Sequence, residues 1–408
     1  MPRAKRPQIT EADVNVPGIV RQVQTFDQYW RDHVPPEHGN VALGEVDVLI
    51  VLLCAFYDPL VRSLRTLEQL AQVPSVKSHL KARQAPKSTL SDAMARFRVE
   101  HLRPLIQELQ KQLPQLHRMD PDLDRVAGKI VAGDGSLFRL AGEVTWALQR
   151  RKNGDGDIDS QVRLNLQVDV KRWTMENFSI SGNAHKGGEA AAMKPMLQSG
   201  VLYLFDRAYY PYEFICSILD IGSDFVVRLK KDLTLRVQEN RPRCEKDIES
   251  GVREDQFGLL GVENGRKGQP PAQTLRLVTV WDPIKQEPVR LLTNLLDVEA
   301  WVIAMLYRCR WIIELFLRWL KVTAGFSHLL STSANGITLQ FYAATICTLL
   351  IHIRTGLPVD KYSLVALSLV YRGQCSYEDQ LPVLIKRQRE RMLEKARLAR
   401  KKQLQKTP

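Results

Sequence analysis

The sequence predicts an α/β protein in which a mixed β-sheet is flanked by helices and preceded by an all-helical N-terminal domain. Three observations support this prediction. Residues 41–120 have a helical pattern, residues 125–233 alternate short apolar strands with helices, and strand-like segments continue through residues 234–292. Strands mixed with helices are typical of a layered sheet covered by helices.

The N-terminal part is predicted to be a loose arm followed by a helical domain. Residues 1–40 are polar and punctuated by prolines, which is typical of an arm. In the domain that we place at 41–120, Ser88 or Thr89 is the expected N-cap of a helix. This helix follows a shorter helix and a basic loop, an order that resembles a helix-turn-helix. Most helix pairs bind nothing, so the DNA contact that we expect here depends on motifs further along the chain.

The predicted core begins at residue 125 and is interrupted once. KIVAGDGSLFRL and VLYLFDRAYY read as buried strands, the first ending at Asp134–Gly135. VRLNLQVDVKRW and TMENFSISG alternate apolar and polar residues as strands do, and TLRLVTVWDP with EPVRLLTNLLD predicts a hairpin. The predicted divisions are the first part of the core at 125–233, a β-rich insertion at 234–292, the second part of the core at 293–356 and a basic tail at 357–408.

Composition and charge indicate a globular protein with a polyanionic partner. Of 408 residues, 58 are Lys or Arg and 45 are Asp or Glu, which gives a net charge of +13. Such a field favours nucleic acid, although a basic protein without that ligand is the alternative. The six cysteines are dispersed, which argues against a zinc site or a disulfide framework and favours a reducing cytosol. We expect no signal peptide and no membrane segment.

The segment Leu306–Lys321 is predicted to be one helix with an unusual polar edge. At about 100° per residue, one stripe less than a quarter-turn wide contains Tyr307, Arg310, Glu314, Arg318 and Lys321. Apolar side chains cover almost all the remaining circumference, which is typical of a buried helix. Burying a carboxylate among cations is costly unless the charges are matched. The alternative is a solvated face on which Arg310 and Glu314 form an ordinary i,i+4 pair.

Three carboxylates are candidates for a metal site. Asp134 and Asp206 stand where apolar strands are predicted to end, and Glu314 lies on the polar stripe. Mg²⁺ takes oxygen ligands and keeps several waters, so a few carboxylates on rigid elements suffice to bind it. Two such ions can assist both the attacking and the leaving oxygen of a phosphodiester. Each aspartate taken alone is more often a turn or cap residue.

The spacing of the polar stripe resembles a known signature. Tyr307, Arg310, Glu314 and Lys321 follow the pattern Y-x2-R-x3-E-x6-K, which is similar to that of the IS-four family of bacterial DDE transposases. The family resemblance extends, in the expected order, to DGS at Asp134, LYLFDRAYY, DFVVRLKKD and LLTNLLD. It covers about 130–355 well and the helical N-terminal region more loosely.

This resemblance implies a fold, a site and partners. It implies an RNase H-like core interrupted by a β-rich insertion, with Asp134, Asp206 and Glu314 as the catalytic triad that binds two Mg²⁺, or Mn²⁺ as a substitute. Tyr307, Arg310 and Lys321 would hold the DNA near the scissile phosphate. The implied partners are double-stranded DNA, as transposon ends and target, and a second copy of the chain in the DNA complex. The expected location is the bacterial cytoplasm, at the nucleoid when DNA is bound.

Three further residues are candidates for DNA contact. Arg207 is expected either to meet a phosphate or to orient the carboxylate beside it, with a structural ion pair as the alternative. Trp281 in the predicted hairpin corresponds to a tryptophan that stacks on a flipped base in some relatives, with core packing as the alternative. Arg318 shares the polar stripe but lies outside the signature, and its geometry predicts a position near DNA phosphate.

The function that these features predict is DNA transposition. The chain would bind the terminal inverted repeats of an insertion sequence and catalyse metal-dependent strand cleavage and strand transfer. One alternative is a metal-dependent nuclease of the same fold, and another is a domesticated DNA-binding protein without catalysis. A carboxylate-pair hydrolase of another class is less favoured, because it would need neither the Tyr–Arg–Lys stripe nor the basic balance.

Overall fold

The computed structural model divides the chain into two compact units. One unit comprises Met1–Pro114 and Lys321–Pro408, and the other comprises Gln115–Leu320. Apart from isolated positions, the structure describes residues 34–39, 41–58, 60–113, 126–140, 144–151, 158–182, 188–230, 233–261, 270–322, 329–355, 361–376 and 378–380. Most of the predicted arm and of the basic tail lies outside these residues.

The described helices are α1 (Glu45–Tyr57), α2 (Leu64–Gln72), α3 (Pro74–Lys77), α4 (Lys87–Arg96), α5 (Leu102–Lys111), α6 (Gly188–Met193), α7 (Tyr212–Asp220), α8 (Glu245–Glu249), α9 (Ala300–Cys309), α10 (Trp311–Val322), α11 (Ala334–Thr355) and α12 (Lys361–Tyr371). The described strands are β1 (Lys129–Arg139), β2 (Leu148–Arg151), β3 (Ile158–Asp169), β4 (Thr174–Ser181), β5 (Val201–Phe205), β6 (Asp224–Arg228), β7 (Leu235–Asn240), β8 (Val252–Leu260), β9 (Leu275–Asp282) and β10 (Glu287–Thr293).

The first unit is built around helix α11, which packs against α1, α4 and α5. By length and composition alone, Ala334–Ile353 could cross a membrane, but most of this segment is buried, as in the core helix of a soluble protein. The buried Gln340 on α11 accepts a hydrogen bond from the backbone N–H of Leu330 at 2.8 Å. An apolar helix with a satisfied polar group is thus accommodated inside this unit.

Helix α4 begins two or three residues earlier than the sequence predicts. Its N-cap is Pro86, whose carbonyl accepts from Leu90 N at 2.9 Å, and no side chain caps the helix. The prediction that Ser88 or Thr89 is the N-cap is therefore wrong, because both lie inside the first turn. Proline in an extended conformation can end the preceding loop without any side-chain hydrogen bond.

The second unit contains one mixed sheet of ten strands. Its order is β2–β3–β1–β5–β6–β10–β9–β8–β7, with β4 paired to β3 outside this path. Strand β1 is antiparallel to β3 and parallel to β5, which is in turn parallel to β6. The predicted α/β class with a large mixed sheet flanked by helices is confirmed.

The segment predicted as an insertion extends this same sheet. Strands β9 and β10 pair as the predicted antiparallel hairpin, and β10 joins the hairpin to β6. Strands β8 and β7 continue the sheet beyond β9 in antiparallel order. Because each strand satisfies the backbone groups of its neighbour, the added strands form one hydrogen-bonded layer with the core.

A cluster of aromatic side chains packs where β1 and β5 run side by side. The rings of Phe205 and Tyr209 stack with centroids 4.6 Å apart, and Tyr203 stacks on Phe205 at 5.6 Å. Phe205 lies against Gly133 of β1, where a Cβ atom would overlap its ring. Glycine is required here because the packed ring leaves no room for a side chain.

Substituting Gly133 with alanine is expected to lower the free energy of unfolding by about 1–3 kcal/mol, the usual cost of overpacking a dense core. Chemical denaturation of the purified chain measures the change. Gly39→Ala is the matched control, since nothing lies within 4 Å of a Cβ built there. Equal stability of the two variants would contradict the close packing of Phe205 against β1.

Candidate active site

Asp134 and Asp206 lie side by side on neighbouring parallel strands. The register of β1 and β5 pairs Gly133 with Phe205, and the two aspartates are the next residues of their chains. Strand β1 does not end at Asp134, as the sequence predicts, but continues to Arg139 through its pairing with β3. What ends at this point is the pairing with β5, so the two strands separate at the carboxylates.

Backbone N–H groups hold both carboxylates. Asp134 Oδ1 accepts from Gly135 N at 2.8 Å, and Asp206 Oδ1 accepts from Ala208 N at 2.7 Å. Asp206 thereby caps the single turn Arg207–Tyr209 that follows β5. The cap role, which the sequence offered as the ordinary alternative for such an aspartate, is therefore present. It also fixes the carboxylate beside Asp134.

The predicted single helix over 306–321 is wrong, since two helices meet at Arg310. Helix α9 ends at Cys309 and α10 begins at Trp311, while Arg310 keeps helical dihedrals of φ −53° and ψ −29°. Across the junction the backbone bonds connect residues three apart, from Arg310 N to Tyr307 O and from Ile313 N to Arg310 O. Such tightening of a helix preserves the direction of the chain but interrupts the regular ladder.

Arg310 is the side chain that connects the elements of the site. Its Nη2 donates to Glu314 Oε1 at 2.5 Å, and its Nη1 lies 4.0 Å from Asp134 Oδ2. Its guanidinium carbon is 5.6 Å from the centroid of the Tyr307 ring. The structure thus brings Tyr307, Arg310, Glu314 and Asp134 together, with Asp206 beside Asp134. The i,i+4 ion pair between Arg310 and Glu314, which was the alternative interpretation, is present. Arg310 in addition approaches Asp134 on the sheet.

The surroundings of Asp134 favour its protonated form. Burial and, to a lesser extent, the neighbouring Asp206 charge together raise the pKa of Asp134 to about 6, while the Gly135 N–H and Arg310 act in the opposite direction. Like charges held together in a partly buried place repel each other, so any nearby cation would be stabilised there.

Two residues near the site are missed by the sequence reasoning. Glu189, in the first turn of α6, lies over the sheet next to Asp134: a Cβ on Gly135 would be 3.1 Å from its Cδ. Arg163 Nε is 3.6 Å from Glu189 Oε1. The Tyr209 hydroxyl is buried without a hydrogen-bond partner among the described residues, and burial together with Glu189 raises its pKa. The sequence feature that could have indicated Glu189 is its position in the first turn of a helix that connects two strands of the core.

The comparison with known protein families decides the identity of this fold. A family model described as the transposase DDE domain matches residues 127–350, which includes the sheet and all three candidate carboxylates.

The chain belongs to the DDE transposase family.

Two curated relatives agree with this assignment. One, named as transposase y4zB from Sinorhizobium fredii (strain NBRC 101917 / NGR234), is 30% identical over 173 residues, which are 41% of this chain and 48% of the relative. The other, from Geobacillus stearothermophilus and named as a transposase for insertion sequence element IS5377, is 27% identical over 178 residues, 44% of this chain and 45% of the relative. The matches span about half the length of each relative.

The donor chemistry of the three candidate carboxylates suits a hard divalent cation. Carboxylate oxygens are the preferred ligands of such ions, and Asp134 and Asp206 repel each other without one. Among the described residues, however, no three His, Cys, Asp or Glu side chains are placed closely enough to hold a metal ion. The Arg310 guanidinium, between Asp134 and Glu314, supplies positive charge at this position.

The remaining candidate DNA-contact residues differ in how exposed they are to solvent. Arg207 is exposed and forms no ion pair with another described residue, so the predicted alternative of a structural pair is not seen. Arg318 on α10 is exposed, and Lys321 is half-buried near the end of the same helix. The sequence predicts a buried helix here, and this is wrong for part of α10, because Trp311 is 49% exposed and Leu315 is 37% exposed.

Trp281 lies at the surface of the hairpin rather than in the core. It is half-buried on β9 and lines a cavity of about 410 Å³ together with Arg253, Glu254, Thr279, Pro288 and Arg290. The Arg253 guanidinium carbon is 5.8 Å from the centroid of the indole. Core packing, the alternative role considered for this tryptophan, does not describe its environment.

Asp134→Asn is expected to stabilise the protein in a pH-dependent way when divalent ions are absent. The folded-state pKa of about 6 lies above the ordinary value of 3.8, so ionisation of Asp134 opposes folding as the pH rises through this range. The variant should match the wild type near pH 4 and exceed it above pH 7 by on the order of 2 kcal/mol. Urea denaturation across this range measures the difference. A difference that does not change with pH would contradict the raised pKa.

Proposed function

We propose that this chain is the transposase of an insertion sequence of the IS-four type. It binds the terminal inverted repeats of its element and catalyses metal-dependent strand cleavage and strand transfer. The observation that carries the proposal is the pairing of Asp134 with Asp206 on adjacent parallel strands, linked through Arg310 to Glu314. The strand order β4–β3–β1–β5–β6 supports the RNase H-like core that the resemblance implies.

Asp134, Asp206 and Glu314 would hold the metal ions, Mg²⁺ with Mn²⁺ as a substitute, and two ions are expected. When bound, these ions supply activation of the attacking oxygen and stabilisation of the leaving oxygen. The raised pKa of Asp134 makes metal binding dependent on pH, because Asp134 must be ionised to act as a ligand. Glu314 must also exchange its Arg310 partner for the metal.

Arg310 and Tyr307 act on the DNA. Released from Glu314, the planar Arg310 guanidinium can grip a phosphate with two hydrogen bonds, which a lysine cannot do. The Tyr307 ring beside it limits the directions in which the guanidinium can move. Lys321 adds a point charge further along α10. These cations offset the negative charge that develops at phosphorus during in-line displacement.

The reaction proceeds by transesterification without a covalent protein intermediate. Water attacks first and nicks the DNA, and the freed 3′-hydroxyl is the nucleophile of the next step. Exposed Arg207 and Arg318 would contact flanking phosphates, and the cavity beside Trp281 suits a base stacked on the indole. Two copies of the chain would pair the two ends of the element. The expected location of the reaction is the bacterial nucleoid.

Asp134→Asn, Asp206→Asn and Glu314→Gln are each expected to reduce end cleavage by on the order of 10³-fold. Each variant replaces a charged metal ligand with a neutral amide of nearly the same shape. Binding to a labelled inverted-repeat duplex should remain largely intact. Asp220→Asn, at the exposed end of α7, is the control and should cleave normally.

The same assay with a pre-cut end separates the proposed function from its alternatives. Joined product supports a transposase, whereas hydrolysis without joining would identify a nuclease. Binding without either reaction in the wild-type protein would identify a DNA-binding protein that has no catalytic activity. Cleavage at the wild-type rate by any of the three carboxylate variants would overturn the assignment of the site.

Arg318→Ala is expected to weaken binding to element ends and to random duplexes by similar factors, because a phosphate contact carries no sequence information. The slope of log affinity against log salt should become shallower by about one. Fluorescence anisotropy over a salt series measures both quantities. Lys194→Ala, an exposed cation paired with Glu213, is the control. Unchanged affinity and slope would return Arg318 to the solvated surface.

A further inference from the structure

Helix α9 obtains its N-terminal cap from a distant part of the chain. Glu299, the residue before the helix, makes no side-chain cap bond. Instead, the backbone N–H of Trp301 donates to Asp247 Oδ1 at 2.7 Å, although the two residues are 54 positions apart. Asp247 lies on α8, between the inserted strands β7 and β8, and is 4% exposed. A carboxylate that accepts from the first turn of a helix satisfies an otherwise unpaired N–H and favours the helix dipole.

The segment leading into α9 is fixed by a second contact from the inserted strands. Arg276 on β9 is 1% exposed and donates through Nε and Nη2 to Asp255 Oδ1 and Oδ2, each at 2.8 Å. Its remaining nitrogen, Nη1, donates to the carbonyl of Val298 at 2.5 Å and to that of Leu295 at 3.2 Å. The ion pair therefore orients a guanidinium whose free edge binds the backbone just before α9.

Further contacts join the same two regions. Arg241 Nη1, near the end of β7, donates to Leu296 O at 2.9 Å. Lys246 Nζ lies 3.3 Å from the centroid of the Trp301 ring. The first seven residues of α9 are buried, and the helix packs on β6, β8, β9 and β10. At its other end α9 carries Tyr307 and leads directly to Arg310 and Glu314.

We propose that Asp247 and the Asp255–Arg276 pair are positioning residues of the active site. The inserted strands set where α9 begins and how it is rotated, and they thereby set where Tyr307, Arg310 and Glu314 stand relative to Asp134. This role rests on the proposed function insofar as Glu314 acts in strand cleavage. The rotation matters because Tyr307 lies on α9 itself, Arg310 follows at its end with helical dihedrals, and α10 with Glu314 begins at the next residue.

Asp247 is the residue on which to test this role. Replacing Arg276 alone would leave the buried Asp255 carboxylate uncompensated and could unfold the protein. Asp247→Ala removes the cap of α9 together with the bond that Asp247 Oδ2 accepts from Cys244 N at 2.9 Å, whereas Asp247→Asn retains an oxygen that can accept from Trp301 N. Asp169→Ala is the matched control: this 4%-exposed aspartate accepts from the backbone N–H groups of Lys171 and Arg172 at the turn between β3 and β4.

Amide hydrogen exchange provides a readout that is independent of catalysis. In Asp247→Ala, the amides of residues 300–309 should exchange about tenfold faster, as expected for the loss of one cap bond. Protection of β1 and β5 should be unchanged. Asp247→Asn should restore most of the lost protection, and Asp169→Ala should change exchange only near its own turn. Unchanged protection of α9 in Asp247→Ala would overturn the proposal.

Single-turnover cleavage of a labelled element end tests the consequence for the reaction. Asp247→Ala should cleave about tenfold more slowly at saturating DNA with an unchanged dissociation constant, and Asp247→Asn should recover the rate. A wild-type rate in Asp247→Ala, despite faster exchange in α9, would overturn the positioning role. Absence of cleavage in the wild type would instead contradict the proposed function, while the exchange experiment would still decide whether Asp247 orders α9.

Discussion

The repulsion between Asp134 and Asp206 is the constraint around which the second unit is arranged. Two carboxylates on adjacent parallel strands repel each other in a partly buried place, and burial with this repulsion raises the pKa of Asp134. Their positions follow from the β1–β5 register, so a shift of one residue would turn one of them to the opposite face. The structure therefore maintains the register with Gly133, whose missing side chain admits the Phe205 ring between the strands.

Arg310, which lies outside the sheet, offsets part of the repulsion between Asp134 and Asp206. It comes from the junction of two helices, and its guanidinium reaches a sheet carboxylate and a helix carboxylate at once. Because its charge is shared, neither carboxylate is fully matched.

Much of the fold and the centre of the site could be predicted from the sequence, because both depend on local periodicity and fixed spacing. The strands that lead to Asp134 and Asp206 follow from short apolar runs, and the hairpin that contains Trp281 follows from two neighbouring strand-like segments. The helix break at Arg310 could not be predicted, since bonds between residues three apart leave the spacing of Tyr307, Arg310 and Glu314 almost unchanged. The exposure of Trp311 was missed for a related reason: hydrophobicity alone does not tell which apolar face lacks a covering element.

Glu189 and Tyr209 illustrate a different limit. Their place near the carboxylates depends on how α6 and the turn after β5 pack on the sheet, and no pattern within either segment encodes that. The N-cap of α4 shows the same limit on a smaller scale, because Pro86 competes with Ser88 and Thr89 as the start of the helix. Long-range packing decides between local options that the sequence leaves nearly equivalent.

Because strands β7 to β10 belong to the same sheet as β1, β5 and β6, the order of synthesis affects how the sheet can form. Strands β7 to β10 precede α9 in the chain, so during synthesis they emerge first and can extend the sheet from β6 before Glu314 leaves the ribosome. Glu314 is therefore synthesised after all the described strands of the sheet. A nascent or truncated chain that ends before Arg310 retains Asp134 and Asp206 but lacks both Glu314 and the guanidinium that links Glu314 to Asp134.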